Sequence, residues 1–172
     1  NIVLMALIFC PLVMPGPMGD LYKWIHPDPG DEIISVKSNG NIVRRNTFHE
    51  CRGSLVLRHG HRNQAVSNIF IGGKEEGSGG IRLQGKDQVI VNNYFHGLKY
   101  ALAMMDGTPD DLYVRVERAK IVNNTVVDCK RALSVGHNHS KHPNGTTPSQ
   151  CVIANNLFVG DTKDEASPLV EY

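Results

Sequence analysis

From Glu32 onward the chain is a succession of short apolar runs: EIISVKS, NIVRRNTF, SLVLRHG, NQAVSNIFIGG, GIRLQG, DQVIVNNYF, YALAMMDG, AKIVNNTVVDC, RALSVGH and CVIANNLFVGD. Gly, Asn, Asp or Lys separates them, and none keeps a helical period for three turns, so the runs predict β-strands. Two kinds alternate. One is a phrase ending in Asn-x-Phe or Asn-x-Val. The other begins near Gly or Ala and ends at a polar tip. The phrases start at Asn41, Asn63 and Asp87, and their asparagines fall at 46, 68, 93, 124 and 156, in steps of 22, 25, 31 and 32.

A short-strand pattern recurring at this period predicts stacked coils, because one coil cannot bury its own apolar side. Asn at one place in every coil has two physical reasons. It tolerates a left-handed bend, and its amide can bond to the same residue in the next coil. The predicted fold is all-β, a right-handed parallel β-helix, with the hand taken from the general crossover preference. A jelly roll or β-sandwich does not predict a repeating Asn-x-Phe phrase. A single domain over residues 1–172 is expected, with an irregular segment at 1–31 and recognisable coils over 32–160. Within the coils, Leu55, Leu57, Ile81 and Leu83 alternate with Arg58 and Arg82 and are expected to point inward.

The segment Ile2 to Met14 is strongly apolar but shorter than the roughly 20 residues of a membrane span, and it lacks the basic start of a signal peptide. It reads as a buried strand or as the raw end of a longer protein, and the chain as a piece of one. Residues 15–31, with four prolines and three glycines, read as a loop.

Composition narrows the picture. Of 172 residues, 41% are hydrophobic and 20% charged, which is ordinary for a globular protein and argues against disorder. The net charge of +1 gives no global basic field of the kind nucleic-acid binders carry. Neither nucleic acid nor membrane is an expected partner, and oligomeric state is not legible. Cys10, Cys51, Cys129 and Cys151 contain no CxxC pair, against a zinc or redox motif. Cys51 and Cys129 read as small buried hydrophobes, with nothing demanding a disulfide.

Anion binding must therefore come from local clustering. Lys37, Arg58 and Arg82 lie 21 and 24 residues apart, about one coil. With parallel strands roughly 4.8 Å apart, the three would line one short stripe. His137, His139 and His142 fall in a polar loop and read as turn or surface residues, as do His61 and His96. Lys74-Glu75-Glu76 reads as a solvated turn.

The phrases EIISVKS, NTFHE, LVLRHGHRN, SGGIRLQG, VIVNNYFHGL and IVNNTVVDC resemble polysaccharide lyase family 6, the β-helical alginate lyases and chondroitinase B, in order and spacing from about Glu32 to Cys129. Family members are longer chains. The resemblance implies β-elimination on a uronate-containing polysaccharide, most of all alginate. A base takes the C5 proton, the C4 glycosidic oxygen leaves, and an unsaturated sugar remains. By matched position the resemblance makes Lys37 the base, Arg58 the acid, and His59 and Arg82 substrate-binding residues. It also implies secretion or a periplasmic, bacterial setting.

Physical chemistry qualifies these roles. A lysine near its reference pKa of about 10.4 is a poor base at neutral pH, and neighbouring cations would favour its neutral form. Guanidinium hardly deprotonates, so Arg58 suits charge stabilisation better than proton donation. The family commonly holds calcium through E-x-E plus an asparagine. Here the phrase is Gly30-Asp31-Glu32, so only Glu32 matches, an incomplete set for an ion that takes 6 to 8 oxygens. Other readings remain open: a non-catalytic β-helix that binds acidic polysaccharide, a uronate C5-epimerase, or a hydrolase, which would need a carboxylate pair.

Overall fold

The computed structural model describes residues 3–4, 7–9, 32–110, 112–137, 145–160 and 170–171. The His137-x-His139-x-x-His142 loop falls largely outside them, as do Gly30 and Asp31. Every regular element among them is a strand, and every strand pairing is parallel. The architecture is a right-handed parallel β-helix of three sheets. Sheet one stacks Val3–Leu4, Ile42–Arg44, Gln64–Val66, Val89–Val91, Lys120–Val122 and Val152–Ala154. Sheet two stacks Leu7–Phe9, Thr47–His49, Ile69–Ile71, Tyr94–His96, Thr125–Val127 and Leu157–Val159. Sheet three stacks Glu32–Val36, Gly53–Leu57, Ser78–Leu83, Tyr100–Met105, Leu133–His137 and Val170–Glu171. Each coil contributes one strand to each sheet, and the apolar N-terminal segment supplies the first strands of sheets one and two.

The register explains the sequence pattern, because like side chains stack on like. Phe48, Phe70 and Phe95 occupy successive positions of sheet two. Their rings stack at 4.5 and 5.0 Å, tilted by 6° and 13°. Sheet three sends Leu55, Leu57, Ile81 and Leu83 into the core, each at 0% exposure. Between sheets one and two runs the asparagine ladder. Asn46 Nδ2 donates to Asn68 Oδ1 at 3.0 Å, Asn68 to Asn93 at 2.9 Å, Asn93 to Asn124 at 3.0 Å and Asn124 to Asn156 at 2.9 Å. Each accepting oxygen also takes the backbone N–H of the asparagine one coil earlier. Buried backbone at the corner is thereby satisfied without leaving the stack.

Three details differ from the sequence expectation. The left-handed bend sits one residue before each ladder asparagine, at Arg45, Ser67, Asn92, Asn123 and Asn155, with φ of 54–57°. The ladder amide compensates the bend rather than adopting it. The second corner pairs Asn41 with Asn63 and Asn63 with Gln88, while Asp87 takes the left-handed position beside it. The third phrase therefore starts in register at Gln88, not Asp87. Finally, Cys51 is buried, as expected, but is disulfide-bonded. Cys129 is free, and burial pushes its thiol up to about 11.

Candidate active site

The site forms where strands of sheet three end. Lys37 follows Glu32–Val36 directly, and Arg58 follows Gly53–Leu57. Val36 lies opposite Leu57, and the Arg58 N–H donates to the Val36 carbonyl at 2.9 Å. Lys37 and Arg58 therefore leave adjacent coils at the same level. Arg82 lies inside Ser78–Leu83, opposite Val56. Alternation along a strand puts Val56 and Arg58 on the same face, so Arg58 and Arg82 both point away from the core. The stripe is stepped: Arg82 sits one outward position earlier along its strand than Arg58.

This face is covered around Arg82 and opens toward the strand ends. Val56 and Ala103, which flank Arg82 in register, are 1% and 0% exposed. The Arg82 side chain keeps 12% of its surface accessible and Arg58 29%, while Lys37 and His59 are exposed. Charge–charge interactions gain strength where water is thinned.

Glu32 ties the two arginines together. Its Oε1 accepts from Arg58 Nη1 and, at 3.1 Å, from Arg82 Nη2. Burial pushes the Glu32 carboxyl up, but the neighbouring Ser35 hydroxyl and the two guanidinium groups outweigh it, and its pKa lies below the usual carboxylate range. Burial likewise works against the Arg58 cation, and Glu32 and Tyr113 outweigh it in turn. Among Lys37, Arg58, Arg82 and Glu32, three cations face one carboxylate, so the local charge stays positive.

The sequence reading missed Tyr113. Arg58 Nη2 donates to its phenol oxygen at 2.6 Å, and the guanidinium carbon lies 5.2 Å from the ring centre. His59 stacks on the same ring at 5.5 Å and 14°. The loop holding Tyr113 is pinned at several points. Its N–H donates to Thr108 Oγ1 and its carbonyl accepts from the Thr108 N–H, both at 2.9 Å. Val114 accepts from the Gly85 N–H of the preceding coil, and Gly107 exchanges two backbone bonds with Thr146 of the following one. The only available signal was that turns lengthen toward the C-terminus, and lengthened turns are where a solenoid carries function.

The glycine of LRHG also has a structural cause. A Cβ at Gly60 would lie 2.1 Å from the Ser38 carbonyl oxygen, so the chain leaving Arg58 and His59 can pass Ser38 only as glycine.

Of the expected calcium motif, the described residues contain Glu32 alone, since Gly30 and Asp31 lie outside them. Their one candidate ligand, Glu32, is held by two cations. No group of three or more His, Cys, Asp or Glu side chains among the described residues could hold a metal.

Comparison with known proteins agrees with this fold. The Chondroitinase B family model matches residues 24–172. No curated protein matches the chain. A mannuronic acid specific polysaccharide family 6 lyase from human gut microbiota is similar at 31% identity and a TM-score of 0.66, covering 81% of this chain and 35% of that one. The family 6 alginate lyase AlyGC is similar at 38% identity and a TM-score of 0.69, covering 75% of this chain and 19% of that one. Another family 6 alginate lyase, in complex with a trisaccharide, shares the fold at 20% identity and a TM-score of 0.69. The chain thus spans about a third or less of the length of these structures. With coils, register and family model in agreement, the chain belongs to the chondroitinase B family, polysaccharide lyase family 6.

Proposed function

We propose that the chain cleaves a uronate-containing acidic polysaccharide, alginate before dermatan sulfate, by β-elimination. The observation that carries this reading is the placement of Lys37 beside Arg58 at the ends of neighbouring strands, with Arg82 one step away on the same face. Removing the proton alpha to a carboxylate builds negative charge on that carboxylate, and catalysis requires fixed positive charge aimed at it. Arg58 and Arg82 supply that charge from partly buried positions, and Lys37 reaches the same level to take the C5 proton. Glu32 holds the two guanidinium groups in place until a substrate carboxylate competes for them. Calcium has no step in this scheme.

Alginate is favoured because the similar structures include a mannuronic acid specific lyase and alginate lyases, and because no further cationic cluster of the kind a sulfated chain would need stands out in the sequence. A trisaccharide bound to a third similar lyase supports a polysaccharide as partner. The Cys51 disulfide suits an oxidising, secreted or periplasmic setting. A second reading, binding without turnover, is favoured by one observation: Glu32 already occupies the arginine pair that a substrate carboxylate must reach.

The test is incubation with alginate, with and without a chelator, following the ultraviolet absorbance of the unsaturated product. Product formation that survives chelation is expected. Binding without product establishes the second reading instead. Inverted C5 stereochemistry without the chromophore establishes an epimerase.

A further inference from the structure

The row that holds Lys37 and Arg58 continues into a third coil, and the residue there is Gln84. Leu57 lies opposite Leu83, and the Gln84 N–H donates to the Leu57 carbonyl at 2.9 Å, as the Arg58 N–H does to the Val36 carbonyl. Leu83 points into the core at 0% exposure, so alternation turns Gln84 outward beside Arg58. The row deepens from coil to coil: Lys37 is exposed, the Arg58 side chain keeps 29% of its surface accessible, and Gln84 keeps 5%. The Gln84 backbone is fixed from two sides. Gln88 Nε2 donates at 2.7 Å to the Gln84 carbonyl and at 2.7 Å to the Gly60 carbonyl, which ties the turn leaving Arg58 to the turn leaving Gln84. The next N–H, that of Gly85, donates to Val114 in the loop that carries Tyr113. Yet the Gln84 side-chain oxygen, Oε1, is buried with no donor among the described residues. Buried acceptors are nearly always paired, and leaving one unpaired works against the fold.

We infer that Gln84 is a specificity-determining residue of this site, its amide oxygen accepting a ring hydroxyl of the uronate whose carboxylate Arg58 and Arg82 hold; this rests on the lyase reading. The division of labour follows from the groups themselves. Guanidinium has donors only and takes the carboxylate, while the amide oxygen has lone pairs only and takes a hydroxyl hydrogen. A uronate ring offers both, a carboxylate on C5 and hydroxyls on C2 and C3. The last torsion of a glutamine side chain is broad and roughly two-fold, so the oxygen turns to a bound sugar without any shift of the pinned backbone. The same oxygen disfavours a sulfate ester on that ring, because two acceptors then meet with no hydrogen between them. Gln84 thus selects free hydroxyls, which alginate carries, over sulfated uronides.

The experiment titrates mannuronate oligosaccharides, and the same sugars deoxygenated at C2 or at C3, into the Lys37→Ala chain with and without Gln84→Met. The Lys37 change keeps the sugar from being consumed, and methionine keeps the length of the side chain while removing the acceptor. Gln84→Met should weaken binding of the hydroxylated sugar about tenfold or more, the scale of a lost hydrogen bond to a buried acceptor. With Gln84 present, one of the two deoxy sugars should bind weaker by a similar factor, and Gln84→Met should then make no further difference to it. The urea midpoint should hold or rise, since an unpaired buried acceptor has been removed. Equal weakening on all three sugars, no weakening on any, or a lowered midpoint overturns the role of Gln84 and leaves the lyase reading intact. Product absorbance from alginate is followed in parallel with Lys37 in place. Its absence alongside the expected binding pattern overturns the lyase reading but not the hydroxyl contact, and absence of binding to every sugar overturns both.

Discussion

The two faces of sheet three are made by the same strands and follow opposite rules. Toward the core, each coil repeats the one before: Ile34, Leu55, Ile81, Leu102 and Leu133 lie in register, and so do Val36, Leu57, Leu83 and Met104. On the other face the register row reads Ser35, Val56, Arg82, Ala103 and Ser134, with no repeat at all. Repetition is what stacking demands, since each coil buries its apolar side only against a like neighbour. A binding site demands the reverse, a particular charge at a particular coil. In a solenoid, then, departure from the repeat on one face marks function, while fidelity on the other maintains the fold. The same contrast separates the asparagine corner, where one residue type recurs five times, from the Glu32–Arg58–Arg82–Tyr113 cluster, where four residues from different coils and loops meet once.

The sharpest way to break this contrast is on the non-repeating side. Lys37→Ala should lower turnover on alginate by about 10²- to 10⁴-fold, the usual scale of a lost general base, with polysaccharide affinity and thermal unfolding nearly unchanged. Lys37→Arg should fare as badly, because a guanidinium gives up no proton. Near-normal turnover by Lys37→Ala would remove the base from this site and end the functional half of the comparison.

On the repeating side the expected effect falls on stability. Phe70 is 1% exposed and stacked between Phe48 and Phe95. Phe70→Ala should cost about 3–5 kcal/mol, the range for emptying a buried aromatic site, read as a shifted urea midpoint. Asn93→Ala should cost less, about 2–3 kcal/mol, because it leaves the Asn68 amide and N–H without their acceptor and the Ala65 carbonyl without its Asn93 donor. A ladder that tolerates alanine without loss would mean that Phe stacking and strand pairing alone set the register.

What was legible in the sequence follows the same division. The repeat announced the coils, and alternation placed Leu55, Leu57, Ile81 and Leu83 inward and Arg58 and Arg82 outward, because both signals are local. Glu32, Arg58, Arg82 and Tyr113 meet through contacts 26, 50 and 55 residues apart. No spacing rule reaches Tyr113, since the turn that carries it has no counterpart of equal length in earlier coils. Register, too, is a property of the stack: only pairing distinguishes Gln88 from Asp87 as the partner of Asn63. The Cys51 disulfide was illegible for the same reason, being a through-space bond in a chain whose four cysteines show no paired spacing.

A smaller effect sharpens the site itself. Arg82 is the more enclosed of the two arginines and lies outside the Lys37–Arg58 level, so it should hold substrate more than it serves the chemistry. Arg82→Ala is expected to raise KM on alginate about tenfold or more while kcat falls less, the signature of lost binding shared by ground and transition states. A variant with intact KM and collapsed kcat would move Arg82 into the reacting group.

The smallest expected effect concerns Glu32, and its pH dependence has a definite sign. The carboxyl titrates below its ordinary value in the folded chain, because the Ser35 hydroxyl, Arg58 and Arg82 together overcome the cost of burying it. A group of that kind contributes its stabilisation fully above the unfolded value, near about 4.3 for glutamate, and loses it as pH falls through the lower folded value. Glu32→Gln keeps an acceptor for the two guanidinium groups but no charge. At neutral pH the unmodified chain should be the more stable of the two, by about 1 kcal/mol or less, since the pair is partly hydrated. On acidification the gap should narrow and close once the carboxyl is protonated in both states. Urea midpoints of both proteins, from neutral pH down until the unmodified chain's midpoint no longer changes with pH, test this directly. A gap that persists at the acid end would mean that Glu32 stabilises the fold by shape and hydrogen bonding rather than charge. Arg58 and Arg82 would then be held apart by packing, and the carboxylate between them would be no stand-in for a substrate's.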